Sequence, residues 1–148
     1  MKIKIIEQGF NPLDEVQNYQ QTLTDLTGKF GATHIFIGTM RDFNDGDDVK
    51  RMRLEHYPGM TEKYLTKTVE QAMQQWAILD VLLIHRVGEL QPNEPIVLIA
   101  VWAHHRGDAF DSCRYIMEDL KSKAPFWKQE QLEQGSRWVS NNTNGYQS

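Results

Sequence analysis

Cationic side chains gather in one stretch, His104 to Lys128, which reads HHRGDAFDSCRYIMEDLKSKAPFWK. His105 and Arg106 stand near its start, and Lys121, Lys123 and Lys128 near its end. A guanidinium fork beside free backbone N–H groups at a helix start suits a phosphate. A lysine partly withdrawn from water, with other cations near it, loses its proton more easily. It can then serve as acid, base or nucleophile near neutral pH. Lys121 fits that description best. Helical spacing sets Arg114, Met117 and Lys121 on one face, with Cys113 and Met117 toward the apolar side. Lys121 therefore falls at the border of core and solvent. Two plainer uses stay open: lysines in a last helical turn favour the negative end of the helix dipole, and Arg106 has Asp108 and Glu118 as candidate ion-pair partners. The bend Ala124-Pro125-Phe126-Trp127 weighs toward chemistry, because two large rings in a tight turn fix the chain leading into Lys128 and can wall a flat ligand.

These residues need elements to place them. Residues 2–7 read as a strand. Asn11 caps a helix with Pro12 at its first position, and Leu13, Val16, Gln20 and Leu23 share its buried face. Residues 32–40 form a strand with His34, Phe36 and Gly38 on one side and Ile35 and Ile37 on the other. Gly38 marks a bulge or a close approach, and Arg41 follows the strand. Residues 42–48 are an acidic loop without EF-hand spacing. Residues 49–57 form a strand expected to pair antiparallel with 32–40 across that loop. Thr61 caps a helix to about Trp76, with Tyr64, Leu65, Thr68, Ala72, Met73 and Trp76 buried. Strand 81–87 and turn 88–93 precede strand 95–104, whose apolar run marks it as central and covered on both faces. Asp108 is the expected cap of the next helix, which carries Phe110, Cys113, Met117 and Leu120 on its apolar stripe. Pro125 stops it. Short strands at 127–132 and 137–139 follow. The mixture is α+β, in one domain over residues 1–140, with 141–148 a polar, flexible tail.

Bulk composition sets limits. The 148 residues are 40 % hydrophobic, which suits one domain with a real core. A net charge of −4 and a pI near 5.7 disfavour a general nucleic-acid binder while leaving room for a local basic pocket. The single cysteine, Cys113, allows no intrachain disulfide and fits a reducing cytoplasm. On an apolar stripe it reads as a small buried hydrophobe rather than a nucleophile. The opening MKIKIIEQGF has too short an apolar run for a signal peptide, and no stretch reads as a membrane span. Adjacent His104 and His105 point to opposite sides of extended backbone, and there is no HExxH motif, so no metal site is expected. His34, His56 and His85 read as sheet residues.

Six segments together resemble the MoaE family, the large catalytic subunits of molybdopterin synthase. They are Phe36-Ile-Gly-Thr-Met-Arg41, Leu54-Glu-His-Tyr-Pro-Gly-Met60, His85-Arg-Val-Gly-Glu-Leu90, His105-Arg106 followed by Ala109-Phe110, Leu120-Lys-Ser-Lys-Ala-Pro-Phe-Trp-Lys128, and Gly135-Ser-Arg-Trp-Val139. The resemblance implies an α/β hammerhead-type fold with mixed and antiparallel sheets and about three main helices. It implies a homodimer within a heterotetramer, completed by a small ubiquitin-like subunit with a C-terminal thiocarboxylate. The reaction it implies moves sulfur from that tail to cyclic pyranopterin monophosphate, forming the molybdopterin dithiolene, with no cofactor. Lys121 and Lys128 would be catalytic. Arg41, His105 and Arg106 would hold phosphate and pterin, the His-Arg pair reaching into the neighbour's pocket. Phe36 and Met117 would line the site, and Arg137 would add charge. A non-catalytic phosphate- or nucleotide-binding module using the same cations is the competing reading, with a metal hydrolase a third. The first turns over only with a thiocarboxylated partner, the second binds ligand alone, and the third needs a metal.

Overall fold

Asn11 starts the first helix as its chemistry suggests. Its Oδ1 accepts from the N–H groups of Leu13 (3.1 Å) and Asp14 (3.3 Å), and Pro12 takes the first helical position, where its missing N–H costs nothing. The computed structural model describes residues 1–41, 43–44, 47–132 and 135–138, with the side chains of 1–41, 51–126 and 138. Its elements run β1 (Lys2–Ile6), α1 (Pro12–Thr22), β2 (Ala32–Thr39), β3 (Phe43–Asn44), β4 (Asp47–His56), α2 (Met60–Gln75), β5 (Ile78–Arg86), β6 (Gly88–Leu90), β7 (Pro95–Ala103), α3 (Arg106–Lys123), β8 (Phe126–Leu132) and β9 (Gly135–Trp138), with a 3-10 turn at Thr24–Leu26. The tail 141–148 and Val139 lie outside the described residues.

Two sheets form among the described strands. The first has the order β1-β5-β7-β2, with β1 parallel to β5 and the other pairs antiparallel. Its central strand β7 is apolar on both faces, as its sequence requires. Val97, Ile99 and Val101 pack under α2 and α3, while Leu98, Ala100 and Trp102 pack under α1. Fully burying each such side chain contributes roughly 1.5–3 kcal/mol. Buried Trp102 keeps its N–H satisfied by donating to Gln20 Oε1 at 3.0 Å. The second sheet has the order β3-β4-β8-β9, with β6 joined to β4. Met52, Leu54 and Leu90 from its strands join Met40 and Val87, which follow β2 and β5, in a further core.

The structure corrects several expectations. β2 pairs with β7, and β4 pairs with β8 and β6, so 32–40 and 49–57 are not a hairpin. Met52 and Leu54 take β4 to the other core, and β2 gains a full ladder on β7. The acidic segment contributes β3 and the start of β4, and 88–90 form a strand rather than a turn. The cap of α2 is Gly59, with positive φ, whose N–H donates to Glu62 Oε2. Thr61 is the second helical residue and buried, its hydroxyl donating to the Tyr57 carbonyl at 2.9 Å. α3 starts earlier than expected: His105 is the cap and Asp108 sits inside the first turn. Phe110 is 58 % exposed and Leu13 61 %, so neither belongs to its helix's buried stripe. On α3 that stripe is Ala109, Ser112, Cys113, Ile116, Met117 and Leu120.

Candidate active site

α3 and β2 lie side by side and run in the same direction. At the start, Gly31 N–H donates to the Ala103 carbonyl at 2.9 Å, and a Cβ on Gly31 would meet the His104 carbonyl at 2.4 Å. Further along, the His34 and Phe110 rings are 4.6 Å apart. Phe36 and Met117 then line a groove of about 420 Å³, shared with His34, Phe110, Cys113, Arg114 and the acidic Asp111 and Glu118. Arg41 and Lys121 close the series. Gly38 keeps the strand near its neighbours: a Cβ there would meet Val97 Cγ1 at 2.7 Å and Phe36 Cε1 at 3.3 Å, and the ladder shifts register just after it. The register shift fits the bulge expected at Gly38; what comes close to it is side chain, from Val97 and Phe36, and not another backbone or a ligand.

Among the described residues the like charge acting on Lys121 is Arg41, and not Lys123 as nearness in sequence suggests. Half-buried at the end of α3, Lys121 is pushed below the ordinary lysine pKa by burial and then by the Arg41 guanidinium, while Glu118 opposes. Cys113 is buried and its thiol is pushed up to about 12, so it holds almost no thiolate near neutral pH. Burial also lowers the His34 pKa. Arg114 pairs with Glu118 at 3.8 Å, four residues on, which is one turn of the same face. No ion pair of Arg106 with Asp108 or Glu118 is found among the described residues.

Beyond Lys121, Ala124 caps the helix and Phe126 N–H donates to the Ala124 carbonyl at 2.8 Å. The Phe126 ring stacks on buried His85, with centroids 4.0 Å apart and planes at 14°. His85 Nδ1 donates to the Arg86 carbonyl at 2.8 Å, so its proton sits on that nitrogen. β8 then runs antiparallel to β4, with the Lys128 backbone across from Leu54, and Arg137 of β9 lies across from Glu130. The side chains of Lys128 and Arg137 lie outside the described atoms.

The fold sets Phe36 and Met117 in one groove and Arg41 within reach of Lys121 by charge. It does not bring His105 and Arg106 to them: both are exposed at the other end of α3. Fifteen residues of helix separate Arg106 from Lys121, about 22 Å at 1.5 Å each. Sequence reasoning did not single out His34 and Glu118 as site neighbours. The signals were present, since His34 shares a strand face with Phe36 and Glu118 lies one turn from Arg114. Among the described residues, no three His, Cys, Asp or Glu side chains cluster as metal ligands. No described helix is long and apolar enough to cross a membrane.

The described residues thus offer a partly apolar groove in an α+β frame and, one helical turn past its Met117, a half-buried amine that feels the charge of a guanidinium. The family model described as MoaE protein matches residues 10–123. A molybdopterin synthase catalytic subunit of Ralstonia nicotianae is 60 % identical over 111 residues, covering 75 % of this chain and 63 % of that relative. One of Haemophilus influenzae is 56 % identical over 139 residues, covering 94 % of this chain and 89 % of the relative. The solved structure of a molybdopterin biosynthesis MoaE protein from Burkholderia ambifaria has a TM-score of 0.79 and 43 % identity, covering 97 % of this chain and 92 % of that one. The chain belongs to the MoaE protein family.

Proposed function

We infer that this chain is the catalytic subunit of a molybdopterin synthase, acting in the cytoplasm through one domain over residues 1–140. It moves sulfur from the C-terminal thiocarboxylate of a small ubiquitin-like subunit to cyclic pyranopterin monophosphate. The carrying observation is the half-buried Lys121, which feels the charge of Arg41 and stands one helical turn past Met117 of the groove that Phe36 also lines. In each transfer the thiocarboxylate sulfur forms a carbon–sulfur bond to the pterin side chain as a carbon–oxygen bond at that carbon breaks, once opening the cyclic phosphate and once releasing water; water then hydrolyses the thioester, leaving sulfur on the pterin and a carboxylate on the tail. Charge develops on the acyl oxygen, and protons move at the pterin. A lysine with a lowered pKa gives up its proton more readily than an ordinary one, and its ammonium form stabilises that oxygen. Arg41 supplies fixed positive charge for the phosphate. Lys128, reached through the Phe126 turn, is the second lysine of the reaction, and Arg137 adds charge from β9.

His105 and Arg106 act in a second copy's pocket. β2 is the outer strand of its sheet, and among the described residues its other edge pairs with no strand. A second copy added antiparallel to that edge about a two-fold axis sets the Arg41 end of one β2 against the Gly31 end of the other. His105 and Arg106 follow directly from that end, so each pocket gains the neighbour's His-Arg pair. A phosphate there meets an exposed guanidinium and a long helix's first N–H groups, which no His105 side-chain cap occupies.

Mass spectrometry of the pterin after mixing with the thiocarboxylated small subunit tests this reading. A dithiolene product is expected only with the partner. Lys121→Ala in a folded protein lowers turnover by about 10²–10⁴-fold, and Cys113→Ser leaves it intact because the sulfur comes from the partner. Full activity of Lys121→Ala, or pterin binding without chemical change, overturns it.

A further inference from the structure

The segment His85-Arg-Val-Gly-Glu-Leu90 has no place in the chemistry above, yet it holds a buried charge. Arg86 is 9 % exposed at the end of β5. Its Nη1 donates to Glu94 Oε2, and its Nη2 donates to the Glu89 carbonyl at 3.0 Å. Its Nε is buried with no hydrogen-bond partner among the described residues. A buried guanidinium is costly to keep unless its partners hold it in one arrangement. The question is what that arrangement fixes.

Glu94 ends the turn Gln91-Pro92-Asn93-Glu94. Glu94 N–H donates to the Gln91 carbonyl at 3.1 Å, Pro92 stands second, and Asn93 stands third with φ of 72°. This is a type II turn. The Glu94 carboxylate also accepts from Gln91 N–H at 3.3 Å, so Arg86 and the turn share one oxygen. The turn grips Met40 from both sides. Asn93 N–H donates to the Met40 carbonyl at 2.8 Å, and Met40 N–H donates to the Glu94 carbonyl at 3.0 Å. Met40 is buried, and the next residue is Arg41.

We propose that the Arg86–Glu94 pair is a positioning device for Arg41, locking the 91–94 turn onto Met40 and so fixing where the Arg41 guanidinium stands beside Lys121. Arg86 touches neither substrate nor lysine; it acts through Glu94, the turn and Met40. This is a deepening of the proposed function, since it assigns the work of Arg41 to that pocket. Among the described residues, Arg41 acts on Lys121 by charge to lower its pKa and Glu118 to raise it. Loosening Arg41 therefore removes the like charge and leaves the carboxylate.

Glu94→Gln and Arg86→Lys test the device in the full chain. The first keeps an oxygen for Gln91 N–H and loses the charge facing Arg86; the second keeps the charge and loses the fork. Val16→Ala, in the core under α1, serves as a variant weakened elsewhere. Lys121 is titrated by NMR of carbon-labelled lysine, and KM and kcat are measured with the thiocarboxylated partner. In both pair variants Lys121 titrates at higher pH than in the parent chain, and KM for the pterin rises by roughly five- to tenfold, the low end of coupling between sites. Val16→Ala moves neither. An unshifted Lys121 titration in folded Glu94→Gln overturns the proposal, and that variant carries the test if Arg86→Lys fails to fold. Because the titration needs no partner or turnover, a shifted Lys121 in a protein that makes no product would sink the synthase reading and leave the positioning role standing.

Discussion

Among the described residues, the pulls on Lys121 have named owners. Burial and Arg41 favour the neutral amine, and Glu118 favours the ammonium. Turnover that uses the neutral amine rises with pH through this lowered pKa. Removing Arg41 removes a like charge, so in Arg41→Ala the rising limb moves to higher pH. Removing the opposing carboxylate in Glu118→Gln moves it to lower pH. The measurement is kcat against pH at saturating pterin and partner, where weakened binding does not enter. Shifts in the same direction, or none, would separate the limb from Lys121. Stability carries the same sign. Between the lowered folded pKa and the ordinary value the unfolded chain binds more protons, so this group makes the fold more stable as pH rises through that window. The sequence already marked this lysine, because the spacing of Arg114, Met117 and Lys121 is a local property of one helix. It did not reveal Arg41 as the charge at work, since Arg41 is brought there by a turn more than fifty residues further along the chain.

At the level of elements, the pairing of β2 with β7 decides the groove. Neighbouring strands in sequence suggest a hairpin, and 32–40 with 49–57 looked like one. Strand partners are chosen by which apolar faces can be buried together, and that is not a local property: the strand with Met52 and Leu54 belongs to another core. The helices were more legible, with errors confined to which residue caps and which flank is wet, as at Asp108, Phe110 and Leu13. Gly38 shows how closely β2 is fitted. Gly38→Ala puts a methyl against Val97 Cγ1 and the Phe36 ring. Overpacking of this kind costs about 1–3 kcal/mol, read by denaturant unfolding, and it displaces the ring that lines the groove. Shortening the neighbour in Gly38→Ala/Val97→Ala makes room for the methyl, so the double variant is more stable than the sum of the two single losses. Simple additivity would show that the contact with Val97 is not what makes glycine necessary.

For the whole molecule, the length of α3 sets the strongest constraint. About 22 Å of helix separates Arg106 from Lys121, so one chain cannot close both ends on one small substrate. Because α3 runs with β2, antiparallel β2 edges bring the lysine end of one copy to the His-Arg end of the other. A mixed dimer tests this directly. Arg106→Ala and Lys121→Ala chains are each inactive or nearly so as homodimers. In a dimer of one of each, the pocket with the intact Lys121 faces the intact Arg106 of its neighbour, and the other pocket lacks both. If strands exchange freely, half the dimers are mixed and each has one working pocket of two, giving about one quarter of parental turnover. If His105 and Arg106 served the Lys121 of their own chain, no pocket in the mixture would be whole. Co-refolding the two variants with different affinity tags, isolating the doubly tagged dimer and measuring product then separates half-parental activity from none.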